Sequence, residues 1–179
     1  MCLKLSIRKE CKQRLTAKDI TLMALMIAII EVSKIVLAQI PNVELTSFWI
    51  VMFTLYFGAK IFYIIPVFIL IEGVMFGFGL WWIMYTYAWP ILALVTLIFR
   101  KKHEVWDLAI VSGVFGLLFG FFCAIPYIFL SGISGAIGWW IAGIPWDLVH
   151  GVANFLIMLV LYKPIIFVML KLKNTEEHN

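Results

Sequence analysis

The chain has 179 residues, of which 64% are hydrophobic and 13% are charged, with a formal net charge of +4. Soluble domains typically contain about 45–50% apolar and about 25% charged residues, so a soluble fold of this size has no place for so much apolar surface. The composition therefore excludes a large soluble catalytic domain, an extracellular sensor domain and a nucleic-acid-binding tail, and it predicts a small membrane protein.

The predicted fold is an all-α integral membrane protein, a six-transmembrane-helix bundle that forms one domain over 1–179. Residues 1–19 are rich in Lys and Arg and lack a small-residue cleavage site, so we expect a cytoplasmic amphipathic lead-in rather than a signal peptide. A helix of about 20 apolar residues crosses a bilayer. The predicted spans are 20–40, 45–57, 61–76, 80–99, 108–130 and 146–170.

The boundary between the last two spans depends on a long uncharged stretch. Residues 108–146 contain no formal charge over 39 positions, which exceeds a single span. The Gly- and Ser-rich segment 131–138 is typical of a loop. Gly113, Gly116 and Gly120 give the fifth predicted helix a small-residue face that favours close helix packing.

The distribution of charge predicts the orientation. With both termini cytoplasmic, 13 of the 14 basic residues lie inside, and only Lys34 falls within a span, in agreement with the positive-inside rule. Seven of the eight Trp residues then fall in the outer half, and only Trp106 falls inside. An interfacial aromatic belt is one interpretation. A pocket open to the outside, walled by several of these rings, is the other.

Ionisable groups inside spans are costly and often functional. The predicted outer half contains seven polar residues of interest: Glu31, Lys34, Glu44, Glu72, Asp147, His150 and Asn154. Glu31 and Lys34 share a helix face and are able to neutralise each other. One interpretation is that Glu31–Lys34 and Asp147–His150 are structural pairs. The other is that four helices direct polar groups into a solute pocket.

Several kinds of chemistry find no support in the sequence. The three His residues do not provide a bis-histidine haem site within the bilayer, and the three Cys residues form no CxxC pair, so we expect no metal site. No P-loop, dinucleotide fingerprint or nucleophile elbow is present. A proton-coupled carrier using Glu31, Glu72 and Asp147 stays open, although the two halves show no inverted hydropathy repeat.

The first predicted helix also carries two alanines one turn apart, Ala24 and Ala28. Small residues at this spacing allow another helix to approach closely. A helix of a partner protein and a helix of the same chain are both consistent with the pattern.

The chain resembles the substrate-binding S component of energy-coupling factor (ECF) vitamin transporters over nearly its whole length. The resemblance includes the basic lead-in, the A-x-x-x-A element at Ala24 and Ala28, the run 41–45 after the first helix, and the run 143–150 that leads into the last. It implies a non-enzymatic subunit of a prokaryotic cell membrane, without its own ATPase or cofactor. The implied partners are a transmembrane scaffold subunit, which the alanines would contact, and two ATP-binding subunits.

Within this family the chain is most similar to S components for cobalamin and related corrinoids. A small vitamin of the pyridoxine or thiamin-precursor type is the alternative ligand. The predicted pocket walls are Trp81, Trp82, Tyr85, Trp89, Trp139 and Trp140. The predicted orienting groups are Glu44, Glu72, Asp147, His150 and Asn154.

Two functions of other classes stay open beside the S component. The first is a stand-alone proton-coupled carrier of small solutes. The second is a small integral-membrane enzyme or assembly factor that uses Asp147, His150 and Asn154.

Overall fold

A computed structural model describes residues 16–100 and 104–177 and contains only helices and turns over these ranges. The order is α1 (Ala17–Leu37), α2 (Thr46–Phe57), α3 (Ile61–Phe76), α4 (Leu80–Phe99), α5 (Val105–Leu117), α6 (Phe119–Ala124) and α7 (Ile128–Glu177). Two short 3₁₀ turns, Gly58–Lys60 and Ile125–Tyr127, connect α2 to α3 and α6 to α7. The all-helical prediction is therefore confirmed for the described part of the chain.

The described residues contain four segments that are long and apolar enough to cross a membrane, rather than the six helices that we predicted. These segments are Ala17–Leu37, Thr46–Phe76, Leu80–Phe99 and Val105–Leu172. Two causes account for the difference. Helix α2 has 12 residues and is about 18 Å long, which is short of a bilayer core of about 30 Å. The loop predicted at 131–138 is reduced to a kink at Gly132, where the backbone leaves helical geometry between two helical stretches of α7.

Helix α1 begins with a capping box, in which the Asp19 amide donates to Thr16 Oγ1 at 3.1 Å and the Thr16 amide donates to Asp19 Oδ2 at 3.0 Å. The helix therefore starts inside the predicted lead-in and ends three residues before the predicted end of the span. Most of the lead-in lies outside the described residues.

Two side-chain contacts between residues far apart in the sequence show that the chain reverses direction between α1 and α2. At one end of the bundle, Lys60 forms an ion pair with Asp19 at 2.9 Å. At the other end, the indole of Trp49 donates to Ser33 Oγ at 2.9 Å. Helices α1 and α2 therefore run antiparallel, and Gly58, with φ of 62°, supplies the left-handed backbone at the turn that follows α2.

The core is formed by the inward faces of α2, α3 and α4, whereas large aliphatic side chains on most helices face outward. Val36, Val74 and Ile98 are each at least 70% exposed. A surface of this kind is typical of helices whose solvent is lipid. The apolar helices and this apolar exterior indicate a membrane protein.

Candidate functional site

The seven predicted polar residues lie in two clusters. The lysine cluster joins α1 to α3 and consists of Glu31, Lys34 and Glu72. The histidine cluster joins the start of α2 to α7 and consists of Glu44, Ser47, Asp147, His150 and Asn154. Most of these side chains are buried, and Glu44 and Lys34 retain about a fifth of their side-chain exposure.

In the lysine cluster, Lys34 Nζ forms an ion pair with Glu72 Oε1 on α3. The direct ion pair of Lys34 is therefore with Glu72 and not with Glu31, although the Lys34 charge also acts on Glu31 electrostatically. Although the two residues share a face of α1, the long lysine side chain reaches across to a carboxylate with no exposure of its own. Glu31 is 7% exposed, and its carboxyl interacts with both Glu72 and Lys34.

The ammonium of Lys34 is also enclosed by aromatic rings. Its Nζ lies 5.3 Å from the ring centroids of both Phe76 and Tyr85, and 5.8 Å from that of Phe68. All three distances are within the range of a cation–π contact. The three rings and the Glu72 carboxylate are called the ammonium cage below.

A cavity of about 470 Å³ opens beside this cage. Its lining residues are Lys34, Ile35, Ala38, Glu72, Phe76, Trp81 and Tyr85. The ring of Trp81 packs edge-on against Tyr85 at a centroid distance of 5.2 Å. The cavity thus combines aromatic walls with an ammonium and a carboxylate, and it contains three of the predicted site residues, Glu72, Trp81 and Tyr85.

In the histidine cluster, Glu44 is the central acceptor. It lies in the loop before α2, where it accepts from His150 Nε2 at 3.2 Å and from the backbone amide of Ser47. Asn154 Nδ2 donates to the Ser47 hydroxyl at 3.2 Å. Burial alone would raise the pKa of Glu44, but hydrogen bonds from His150, Ser47 and Thr46 outweigh this effect and lower the pKa to about 2.

Asp147 stands one turn from His150 and is held by a different partner. Its Oδ1 accepts from the backbone amide of Gly120 at 2.9 Å, while Oδ2 has no hydrogen-bond partner among the described residues. The predicted Asp147–His150 pair is therefore wrong as a direct contact, because His150 bonds to Glu44 instead. This hydrogen bond from Gly120 joins α7 to the backbone of α6.

An aromatic path links the two clusters. Trp89 packs against Tyr85 at 5.1 Å on one side and Phe119 at 5.9 Å on the other, and Phe119 lies 4.6 Å from the His150 ring. The predicted wall residue Trp89 is thus buried between the clusters and does not line the cavity.

The other predicted Trp residues lie elsewhere. Trp82 borders a separate groove of about 400 Å³ and donates its indole N–H to the Ile69 carbonyl at 2.7 Å. Trp139 stacks on Tyr127 at 4.8 Å and Trp140 packs against Phe121 at 5.4 Å, near the turn into α7. Their packing against α6 and the turn after it accounts for their positions without a ligand.

The site prediction omitted several residues that complete the clusters. The sequence indicates Lys34 as a buried charge but not as a cavity wall, and it does not indicate Phe68, Phe76 or Ser47 as part of a site. The spacing of Glu44 and Ser47 at the start of a helix was an available signal, since a carboxylate three residues before an amide is able to cap it. The aromatic residues carry no such local signal.

Ala24 and Ala28 are exposed on the outward face of α1 and do not pack against another helix of the described chain. In the described residues no group of three His, Cys, Asp or Glu side chains is arranged to hold a metal ion. His103, His178, Cys2 and Cys11 lie outside the described residues.

No protein-family model matches this chain, and neither a curated protein nor a solved structure matches it at a significant level.

Proposed function

We propose that the chain is a substrate-binding membrane subunit of the ECF type, which captures a small water-soluble vitamin in the cavity beside Lys34, Glu72, Trp81 and Tyr85. The observation that carries this proposal is the cavity itself. Its volume of about 470 Å³ lies within the roughly 300–1,000 Å³ range of small-molecule sites, and its wall combines aromatic rings with two charged groups. Such a wall suits a solute with a flat ring and polar substituents.

The size of the cavity favours the smaller of the two ligand classes. A corrinoid is a macrocycle with large side groups and would extend well beyond a cavity of this volume. A pyridoxine- or thiamin-precursor-type ring would fit a volume of this size beside the aromatic wall residues Phe76, Trp81 and Tyr85. We therefore place a small vitamin ahead of cobalamin as the proposed cargo.

The proposed partners are a transmembrane scaffold subunit and two ATP-binding subunits, with lipid as the surrounding solvent and no nucleic acid. The exposed alanine pair on α1 supports this, because Ala24 and Ala28 leave a shallow outward surface where another helix would approach closely. In this proposal the chain is not an enzyme, carries no cofactor, and derives its energy from the ATP-binding partners.

The proposed location is a prokaryotic cell membrane, which the chain crosses several times with both termini in the cytoplasm. Lys60 and Arg100 support this orientation, because both lie at the end of the bundle where α1 begins. In this arrangement α2 is a short pass that ends at the reversal of the chain at Gly58.

Thermal unfolding of the purified chain against a vitamin panel tests the proposal. The panel contains pyridoxine, thiamin, its pyrimidine precursor, cobalamin and cobinamide. One small vitamin should raise the unfolding temperature, because a ligand that binds only the folded state stabilises it. Trp81→Ala should weaken this binding at least tenfold, since the ring forms the cavity wall.

Trp139→Ala is the matched control, because Trp139 is also partly exposed but lies outside the cavity. It should bind the same vitamin as the wild type. If no vitamin stabilises the protein, or if both variants lose binding equally, the proposed site is wrong. If a corrinoid gives the largest stabilisation, the preference for a small ligand is wrong.

A proton-coupled carrier is the second candidate, and Glu31 is the observation that favours it. A buried carboxylate that is 7% exposed and lies beside both Glu72 and Lys34 is the kind of group that proton relays use. Liposomes containing the chain alone separate the two functions. Uptake driven by a pH gradient without any ATPase would support the carrier and contradict the ECF-type subunit.

A further inference from the structure

The position of the Lys34 ammonium indicates what the cavity is built to recognise. The ammonium pairs with Glu72 and lies 5.3–5.8 Å from the centroids of Phe68, Phe76 and Tyr85. A carboxylate surrounded by aromatic faces is the general arrangement by which proteins bind organic ammonium ions. The Glu72 carboxylate and the three rings thus form a cation site, and the Lys34 ammonium fills it.

The charges around the cage are unbalanced. Two buried carboxylates, Glu31 and Glu72, accompany one ammonium, that of Lys34, which leaves one negative charge in excess when all three are ionised. Glu31 is more than nine-tenths buried, and its carboxyl lies beside that of Glu72. Two neighbouring buried carboxylates are costly when both are ionised, and a second cation beside them would lower that cost.

The side chain of Lys34 is also able to leave the cage. It is about a fifth exposed, lies in the cavity wall, and has a flexible four-carbon stem. The geometry points to a site for a small aromatic ammonium ion, with Lys34 as a built-in competitor that the ligand displaces from Glu72. This inference rests on the proposed function, because it takes the same cavity as the solute site and specifies the charge of the solute.

Three probes of similar shape and different charge test this inference: phenethylammonium, 2-phenylethanol and 3-phenylpropionate. Binding is measured at pH 7 on the full chain in nanodiscs, by thermal shift and by quenching of tryptophan fluorescence. The wild type should bind the ammonium at least tenfold more tightly than either other probe. Lys34→Met should bind it about tenfold more tightly still, because the competing ammonium is gone.

Two variants serve as controls. Lys34→Arg keeps a cation in the cage and should bind phenethylammonium no more tightly than the wild type. Lys60→Met removes a lysine from an ion pair at the opposite end of the bundle and should leave binding unchanged. Glu72→Gln should weaken the binding of the ammonium, because it removes the carboxylate of the cage.

The outcomes separate this inference from the function on which it rests. If the wild type binds 3-phenylpropionate more tightly than phenethylammonium, and Lys34→Met loses this binding, the inference is wrong. The cavity would then still be a solute site, but one in which Lys34 binds anions. Failure of all three probes to bind would also overturn the inference, whatever the vitamin panel shows. If Lys34→Met does not fold, the ranking of the three probes on the wild type still decides the matter.

Discussion

At the scale of single residues, Glu44 shows how a buried charge is stabilised in this chain. The carboxylate lies in the loop between α1 and α2 and accepts hydrogen bonds from α2 and from His150 on α7. These bonds favour its ionised form, so its pKa falls to about 2 in the folded protein. Because the folded pKa lies below the ordinary value of 4.5, ionised Glu44 stabilises the folded state above about pH 4.5.

The first prediction concerns acid stability. The stabilisation by Glu44 should decline as the pH falls from about 4.5 towards 2, where the carboxyl becomes protonated in both states. Glu44→Gln should lower the unfolding temperature at pH 6, and the difference from the wild type should shrink as the pH falls. Unfolding temperatures measured at pH 6, 4 and 2.5 check this. A difference that stays constant over this range would contradict it.

The partners of the buried ionisable groups were not predictable from the sequence. Spacing along one helix indicated Glu31 with Lys34 and Asp147 with His150. The structure instead pairs Lys34 and His150 with carboxylates from other parts of the fold, Glu72 and Glu44. Helical spacing identifies residues on one face, but the nearest acceptor for a long side chain depends on which helix packs against that face.

At the scale of secondary structure elements, glycines determine how closely α5 and α7 pack. A Cβ on Gly116 would lie 2.8–2.9 Å from backbone atoms of His150 and Gly151. A backbone is unable to move aside as a flexible side chain does, so the two helices would have to separate. The small-residue face predicted on this helix is thereby confirmed as a packing surface.

The second prediction follows from this contact. Gly116→Ala should destabilise the protein by about 1–3 kcal/mol, the usual cost of overpacking. Gly138→Ala is the matched control, because a Cβ there meets no atom within 4 Å, and it should be neutral or stabilise by up to about 1 kcal/mol. Unfolding in mixed detergent micelles measures both. Equal effects would mean that α5 and α7 tolerate a wider separation.

Element boundaries were predictable where the sequence has a strong break. The predicted boundaries of α3 and α4 agree with the structure at both ends. The Gly- and Ser-rich segment 131–138 is a weak signal for a loop, because each glycine or serine lowers helix stability by no more than about 1 kcal/mol and does not exclude a helix. Only Gly132, with φ of 70° and ψ of 179°, departs from helical geometry there.

At the scale of the whole molecule, the exposed face of α1 bears on how the chain would work with partners. Ala24 and Ala28 lie on this face together with large aliphatic side chains such as Leu25, which is 57% exposed. Small residues within an apolar face form a depression into which another helix fits.

The third prediction therefore concerns docking. In cells whose vitamin uptake depends on this chain, Ala28→Trp should reduce uptake at least tenfold, because the indole would fill the depression. Ligand binding by the purified variant should stay unchanged, since Ala28 is not a cavity residue.

Leu25→Trp provides the control for docking. Leu25 is exposed on the same face as Ala28, but its side chain is already large, so Trp at this position adds little bulk and leaves the depression between the alanines open. This variant should retain uptake. Equal loss of uptake in both variants would mean that any bulky group on α1 interferes, and loss of ligand binding in Ala28→Trp would mean that the alanine supports the fold.

The sequence by itself determined that the chain is helical and suited to a membrane, because both properties depend on local composition and on the spacing of breaks. It also identified the residues whose charges are costly in such a setting. Only the tertiary structure decided that these residues separate into two clusters, that Lys34 occupies a cage of aromatic rings, and that Trp139 and Trp140 lie outside the cavity. The reason is physical: a buried charge and an aromatic ring interact over a few ångströms, and residues that distant helices bring within that range have no common pattern along the chain.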